Sequence, residues 1–166
     1  MLFSLITALI VLDQVSKWWA ASTFPLNGAN KSIGLGFHFT YVQNTGAAFG
    51  ILENTTLILG ILSATVAAVL AFFLLTQHRS LNRLAQIALN LILAGALGNM
   101  IDRFRLGYVI DFIHFYLPNF NFPVFNVADS CVVIGAGLLV LSSLSKKRTL
   151  TEANTDLLND PSPPPS

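Results

Sequence analysis

The chain has 166 residues, 54% hydrophobic and only 10% charged, against about 25% charged in an average soluble domain. So little charge cannot clothe a globule in water, and a formal net charge of +1 leaves no electrostatic footprint for nucleic acid. The single cysteine, Cys131, excludes a disulfide framework, a CxxC redox pair and a thiolate metal cluster, and reads as a small packing residue. What remains is an integral membrane protein, expected as one domain over residues 1–148.

Residues 2–22 form the first apolar run, long enough at about 1.5 Å per residue to cross a hydrocarbon core of ~30 Å. A cleaved signal peptide needs a basic start and an uncharged apolar centre. Here the start carries no Lys or Arg, and Asp13 and Lys17 interrupt the run, so a retained span is expected. The two lie one helical turn apart with the acid first, the better order for an ion pair. They read either as a self-neutralising pair tolerated in lipid or as support for a site. Trp18 and Trp19 mark an interfacial belt.

Residues 23–56 are polar enough to lie outside the membrane. Phe37, Phe39 and Tyr41 alternate with His38 and Thr40, the period of a strand with one apolar face. Gly34, Gly36, Asn44 and Gly46 punctuate it as turns, and His38 reads as a solvated strand residue. The stretch Asn44-Thr45-Gly46-Ala47-Ala48-Phe49-Gly50 reads two ways. Its small residues let backbone approach a ligand while Asn44 offers donor and acceptor, or it is simply a tight turn.

Residues 57–75 are an uninterrupted apolar span, 76–83 a short basic loop, and 84–103 a third span ending Gly98-Asn99-Met100-Ile101-Asp102-Arg103. Helical spacing places Asn99 over Asp102 and Arg103, as a local polar cluster or as a cap with an ion pair. Residues 104–123 are expected as a loop and 124–145 as the fourth span. Residues 149–166, ending PSPPPS, are expected as a disordered cytoplasmic tail.

Val109–Ser130 carries Asp111 and Asp129 at the two ends of an aromatic-rich segment. An ionisable residue at the edge of a span is expensive and argues for function. Two carboxylates able to meet suggest a general acid/base pair. Asn126 and Asp129 also fit a capping box, with Asp129 about 7–8 Å along a helix that starts at Val124. Asp111, between Val109-Ile110 and Phe112-Ile113, has no such second reading and sits where a protonated carboxyl is favoured.

Four antiparallel spans bring Asp13, Lys17, Asn99, Asp102, Arg103 and Asp129 to one membrane face. Five basic residues in the 76–83 loop and at Lys146-Lys147-Arg148 outweigh Lys31, Arg103 and Arg105 opposite. Both termini are therefore expected in the cytoplasm, with the site outside. A small four-span transporter or proton channel is the alternative, but its acids should reach the midplane.

Five motifs occur in order: Asp13-Gln14-Val15-Ser16-Lys17, NTGAAFG, Gly98-Asn99-Met100-Ile101-Asp102-Arg103, Val109-Ile110-Asp111-Phe112-Ile113 and Phe125-Asn126-Val127-Ala128-Asp129-Ser130. In them the chain resembles the type II, or lipoprotein, signal peptidases, a family of bacterial membrane aspartic peptidases. The likeness covers about residues 10–145. With the spans above it implies a mainly α membrane protein of four transmembrane helices and a small extracytoplasmic β-sheet. It implies Asp111 and Asp129 as the catalytic pair, with Asp13, Lys17, Asn44, Gly46, Asn99, Asp102, Arg103, Asn126 and Ala128 binding substrate or supporting the site. The implied substrate is a prolipoprotein whose lipobox cysteine already carries diacylglycerol, cut just before that cysteine in the bacterial cytoplasmic membrane. No HExxH or similar zinc spacing occurs, so neither metal nor cofactor is expected. The expected partners are the bilayer and the lipid-modified substrate, with no nucleic acid and a monomeric chain.

Overall fold

The computed structural model describes residues 2–28, 31–46 and 55–159. Long apolar runs become helices because, in lipid, each backbone polar group must be satisfied within its own segment. The helices are α1 (Leu2–Thr23), α2 (Thr56–Gln77), α3 (Arg83–Leu106) and α4 (Val127–Asn159). Among the described residues, three stretches, Thr56–Ser80, Arg83–Leu106 and Val127–Leu144, are long and apolar enough to cross a membrane. The protein buries 56% of the apolar window of α3 but 22% of each of the other two, which makes α3 the central helix. It packs against α4, α2 and α1. Leu57, Ile61 and Phe72 on α2, and Val133, Ile134 and Val140 on α4, are each more than half exposed. Apolar surface on that scale wants a bilayer over it.

Local chemistry sets the ends of α3. Asn82 caps its start, its side-chain oxygen accepting from the Ala85 N–H at 2.8 Å and from Ser142 Oγ of α4 at 3.0 Å. Gly107 stops it, adopting φ +81° and donating its N–H to the Arg103 carbonyl.

The sheet has four antiparallel strands in the order β1 (Lys31–Gly34), β2 (Phe37–Asn44), β3 (Val109–Leu117), β4 (Phe120–Asn121). Leu35 and Gly36 join β1 to β2, both at positive φ (53° and 81°), the primed turn that suits strand twist. Trp19 meets the rings of Phe24, Phe39 and Phe112 edge-on at 5.3, 5.2 and 6.3 Å, tying the end of α1 to the sheet. Trp18 is 70% exposed, as a belt residue should be.

Four expectations are corrected here. Residues 104–123 are not a loop, since α3 runs to Leu106 and β3 and β4 follow. Val109–Leu117 is rich in β-branched and aromatic residues, but its partner β2 lies far upstream, out of reach of any local pattern. The alternation along β2 fails beyond Phe39, where the register shifts before Val42. Consecutive Thr40 and Tyr41 are then both buried, at 4% and 8% exposure.

The fourth helix starts at Val127, not Val124, because Phe125 exchanges backbone hydrogen bonds with Ile113. Asp129 therefore stands in the first turn, shallower than a count from Val124 gives. The same helix continues to Asn159, where an unstructured tail was expected from Thr149. Leu150, Glu152, Ala153, Leu157 and Leu158 favour helix, and lengthening an existing helix needs no new nucleus. Proline begins only at Pro161, outside the described residues.

Candidate active site

The site is built on the N-terminus of α4. Asn126 Oδ1 accepts the Asp129 N–H at 2.9 Å, and Asp129 Oδ2 accepts the Asn126 N–H at 3.2 Å. This is a reciprocal capping box, so one reading of Asp129 holds. It does not exhaust the residue, because Asp129 Oδ1 still accepts from Asn99 Nδ2 of α3 at 2.7 Å. From the same cap, Asn126 Nδ2 donates to Asp111 Oδ1 at 2.7 Å, across to β3. Asn44 Nδ2 at the end of β2 donates to Asp111 Oδ2 at 2.9 Å. One asparagine therefore orients both carboxylates, and each of the four carboxylate oxygens accepts from an N–H. Asn44 is itself fixed by the Gly46 N–H on its Oδ1 at 2.9 Å. The Gly46 carbonyl accepts from Arg103 Nη2 at 3.3 Å.

Beneath the aspartates lies an ionic brace. Lys17, 1% exposed, places Nζ 2.9 Å from each of Asp13 Oδ2, Asp102 Oδ2 and Asn99 Oδ1. Three contacts use all three ammonium protons. The bond to Asn99 Oδ1 also decides which way that amide faces, so that its NH2 meets Asp129. Asp13 Oδ1 accepts the Ala128 N–H of α4 at 2.9 Å, and Asp102 Oδ2 the Ile110 N–H at 3.2 Å. The brace thus joins α1, α3, α4 and the start of β3. It also resolves the reading of the α3 end, since Asp102 pairs with Lys17 rather than with Arg103.

Asp111 is 2% exposed. Burial, and then the neighbouring charge of Asp129, raise its carboxyl to about 7 against the opposing hydrogen bonds from Asn44 and Asn126 and the charge of Lys17. Near neutral pH the Asp111 carboxyl is therefore divided between its protonated and ionised forms. Both aspartates line a cavity of about 960 Å³ among α2, α3, α4 and the sheet. Its walls are apolar at Val66, Ile92, Val132 and Val133, with Asn44, Asn99 and Arg103 at the aspartate end. Arg103 Nε is buried without an acceptor among the described residues, beside this cavity.

The residues singled out in the sequence meet in this one network, although Ala47-Ala48-Phe49-Gly50 lie outside the described residues. Two contributors were not singled out. Gln14 Nε2 donates to Asp102 Oδ1 at 2.9 Å and to the Gly98 carbonyl at 3.3 Å. Its place beside Asp13 in an apolar run was the available signal. Gly98 is needed for its missing side chain, since a Cβ there would stand 2.6 Å from Asp13 Oδ2 and 3.1 Å from the Ala128 Cβ. No periodicity reveals such a contact.

Residues 5–145 match the family model described as Signal peptidase (SPase) II. The lipoprotein signal peptidase of Symbiobacterium thermophilum is 44% identical over 132 residues, covering 80% of this chain and 86% of that protein. That of Nostoc punctiforme is 46% identical over 140 residues, covering 84% and 87%. A solved bacterial membrane enzyme superposes with a TM-score of 0.79 at 32% identity, covering 88% of each chain.

Proposed function

The chain belongs to the signal peptidase II family, and from that premise we propose that it removes signal peptides from diacylglyceryl-modified prolipoproteins, with Asp111 and Asp129 as an aspartic pair. One observation carries the reading: a buried carboxylate, Asp111, and a half-buried one, Asp129, both oriented by the shared Asn126, stand at the polar end of a cavity whose remaining walls are mostly apolar. An apolar cleft of this size suits the acyl chains and apolar stretch of such a precursor. The scissile bond, just before the modified cysteine, would lie at its polar end.

Asp129 acts as the base, because a helix N-terminus presents N–H groups and a dipole that favour negative charge. It takes a proton from a water held between the carboxyls, and that water attacks the scissile carbonyl. Asp111, kept protonated by burial, donates to the carbonyl oxygen, and the proton taken by Asp129 goes to the departing amine. Asn44 and Asn126 hold Asp111, while Asn99 and the Asn126 N–H hold Asp129. The purified chain should convert a diacylglyceryl-modified precursor with chelator present and leave the unmodified precursor whole. Equal cleavage of both, or none of the modified form, defeats the proposal.

The pH profile follows from Asp111. A carboxyl raised to about 7 keeps its proton below that value and loses it above. The acid therefore disappears as pH rises, and kcat/KM should fall about tenfold per pH unit on the alkaline side. Its linkage to folding has the same sign, being complete below the ordinary value of about 3.9 and lost as pH rises through the folded one. A profile flat from pH 6 to 9 would contradict the assignment of Asp111 as acid.

Membrane placement is part of the proposal. Val11, Leu12 and Val15 are each more than half exposed on α1, which supports α1 as a fourth span. The positive bias of the 76–83 loop and of Lys146-Lys147-Arg148 supports cytoplasmic termini, with the sheet and the aspartates outside. Residues 1–148 would then form one membrane domain with a dispensable tail. A reporter inserted at Leu35 should read extracytoplasmic and one fused after Ser145 cytoplasmic; the reverse at both would invert the orientation.

A further inference from the structure

A second cavity, about 400 Å³, lies between α1 and α3 and is separate from the one among α2, α3 and α4. Lys17 and Asp102 reach it from the ionic brace, which with Asp13 holds one cation and two carboxylates, all buried and already paired with one another or with N–H groups. The Asp102 oxygens are occupied by Lys17, Gln14 and the Ile110 N–H. The charge left uncommitted at this cavity is Arg105, an exposed side chain on the last turn of α3 with no ion pair among the described residues. Tyr108 also lines this cavity.

Below that cation the surface turns apolar. Trp18, Val15 and Val11 follow one another down one face of α1 at helical spacing, with exposures of 70%, 56% and 55%. Val15 and Trp18 line the cavity, and Val11 continues the track away from it. A guanidinium above an apolar strip matches an amphiphile with a phosphate head, because the planar fork pairs with two phosphate oxygens. The carboxylate at this cavity is buried and committed, and the exposed charge in the lining is the cation of Arg105, which attracts a phosphate and repels an ammonium head. That favours a lipid of net negative charge.

We propose that this groove is a binding site for an anionic phospholipid, Arg105 holding the phosphate and one acyl chain lying along Val15 and Val11. The site is separate from the peptidase chemistry and does not rest on it. It predicts that the chain selects its lipid neighbour at one place on its circumference, through a single cation.

The test uses Trp18 as the reporter. The chain has two tryptophans, so the full-length Trp19→Phe variant leaves Trp18 alone while keeping an aromatic ring against the sheet. It is reconstituted into phosphatidylcholine vesicles carrying a minor fraction of brominated phosphatidylglycerol or brominated phosphatidylcholine, and fluorescence quenching gives the relative association. Phosphatidylglycerol should be preferred about fivefold, the worth of one cation at a lipid surface. Adding Arg105→Gln should bring the ratio to about one, with cleavage activity unchanged. Soluble glycerol phosphate should not relieve the quenching, which separates a lipid site from a free-phosphate site. Equal quenching by both lipids in the Arg105 protein, a preference surviving Arg105→Gln, or displacement by glycerol phosphate would each overturn the proposal.

Discussion

Replacing Asp111 or Asp129 by asparagine should lower conversion of a diacylglyceryl-modified precursor by at least about a thousandfold. Asparagine keeps the shape of the side chain but can neither carry the negative charge nor pass a proton. Combining the two changes should add little, because groups that act as a unit are not additive. The fold bears a smaller cost. At Asp111 the new amide presents an NH2 to Asn44 or Asn126, each of which donates to it now. One donor is left without an acceptor, worth about 1–3 kcal/mol. Purified variants should therefore be assayed below their own unfolding temperatures. Substantial cleavage by either folded variant would end the aspartic mechanism. Cys131→Ala, on the same helix, is the control expected to be nearly silent.

The second large effect is expected at Lys17. Lys17→Met keeps most of the side-chain length but leaves Asp13 and Asp102 with no cation between them. Breaking one member out of a buried ionic cluster costs about 3–5 kcal/mol, most of it the uncompensated charge left behind. Asn99 also loses the contact that sets its amide direction, so activity should fall even where protein survives. Adding Asp102→Asn to Lys17→Met removes one of the stranded charges and should recover part of the loss. A thermal unfolding series in detergent on the parent, Lys17→Met and the double variant separates the cases. If the single variant unfolds with the parent, Lys17 is not a brace; if the double falls further than the single, the cost is packing rather than charge.

The helices are legible in the sequence because 18 or more apolar residues in a row permit little else. Asp13, Lys17, Asn99 and Asp129 are legible for the complementary reason, since a polar side chain in such a run must be accounted for. Their partners are another matter. Asp102 lies one turn from Asn99 and beside Arg103, and local spacing pairs it there, whereas it meets Lys17 on a different helix. Local rules also miss β3, whose hydrogen bonds go to β2, and the late start of α4, which depends on Phe125 meeting Ile113. The bulge after Phe39 leaves no mark in composition, yet it decides that Tyr41 is buried beside Thr40. Local pattern reads which residues are costly; only the packing says how the cost is met.

The brace also has a chronology. Lys17 precedes Asn99 by 82 positions, and Asp13 precedes Ala128 by 115. On the ribosome, α1 is therefore complete long before α3 and α4 exist to receive its charges. Through that interval Asp13 and Lys17, 2.9 Å apart within one helix, have only each other. With α1 placed as the proposed fourth span, their adjacency makes the nascent helix nearly neutral as it enters lipid, and the later helices then recruit the same pair. Because Ala128 belongs to α4, the site closes only when synthesis of that helix's first turn is finished. A chain stalled before α4 carries the brace half-built and lacks Asp129 altogether.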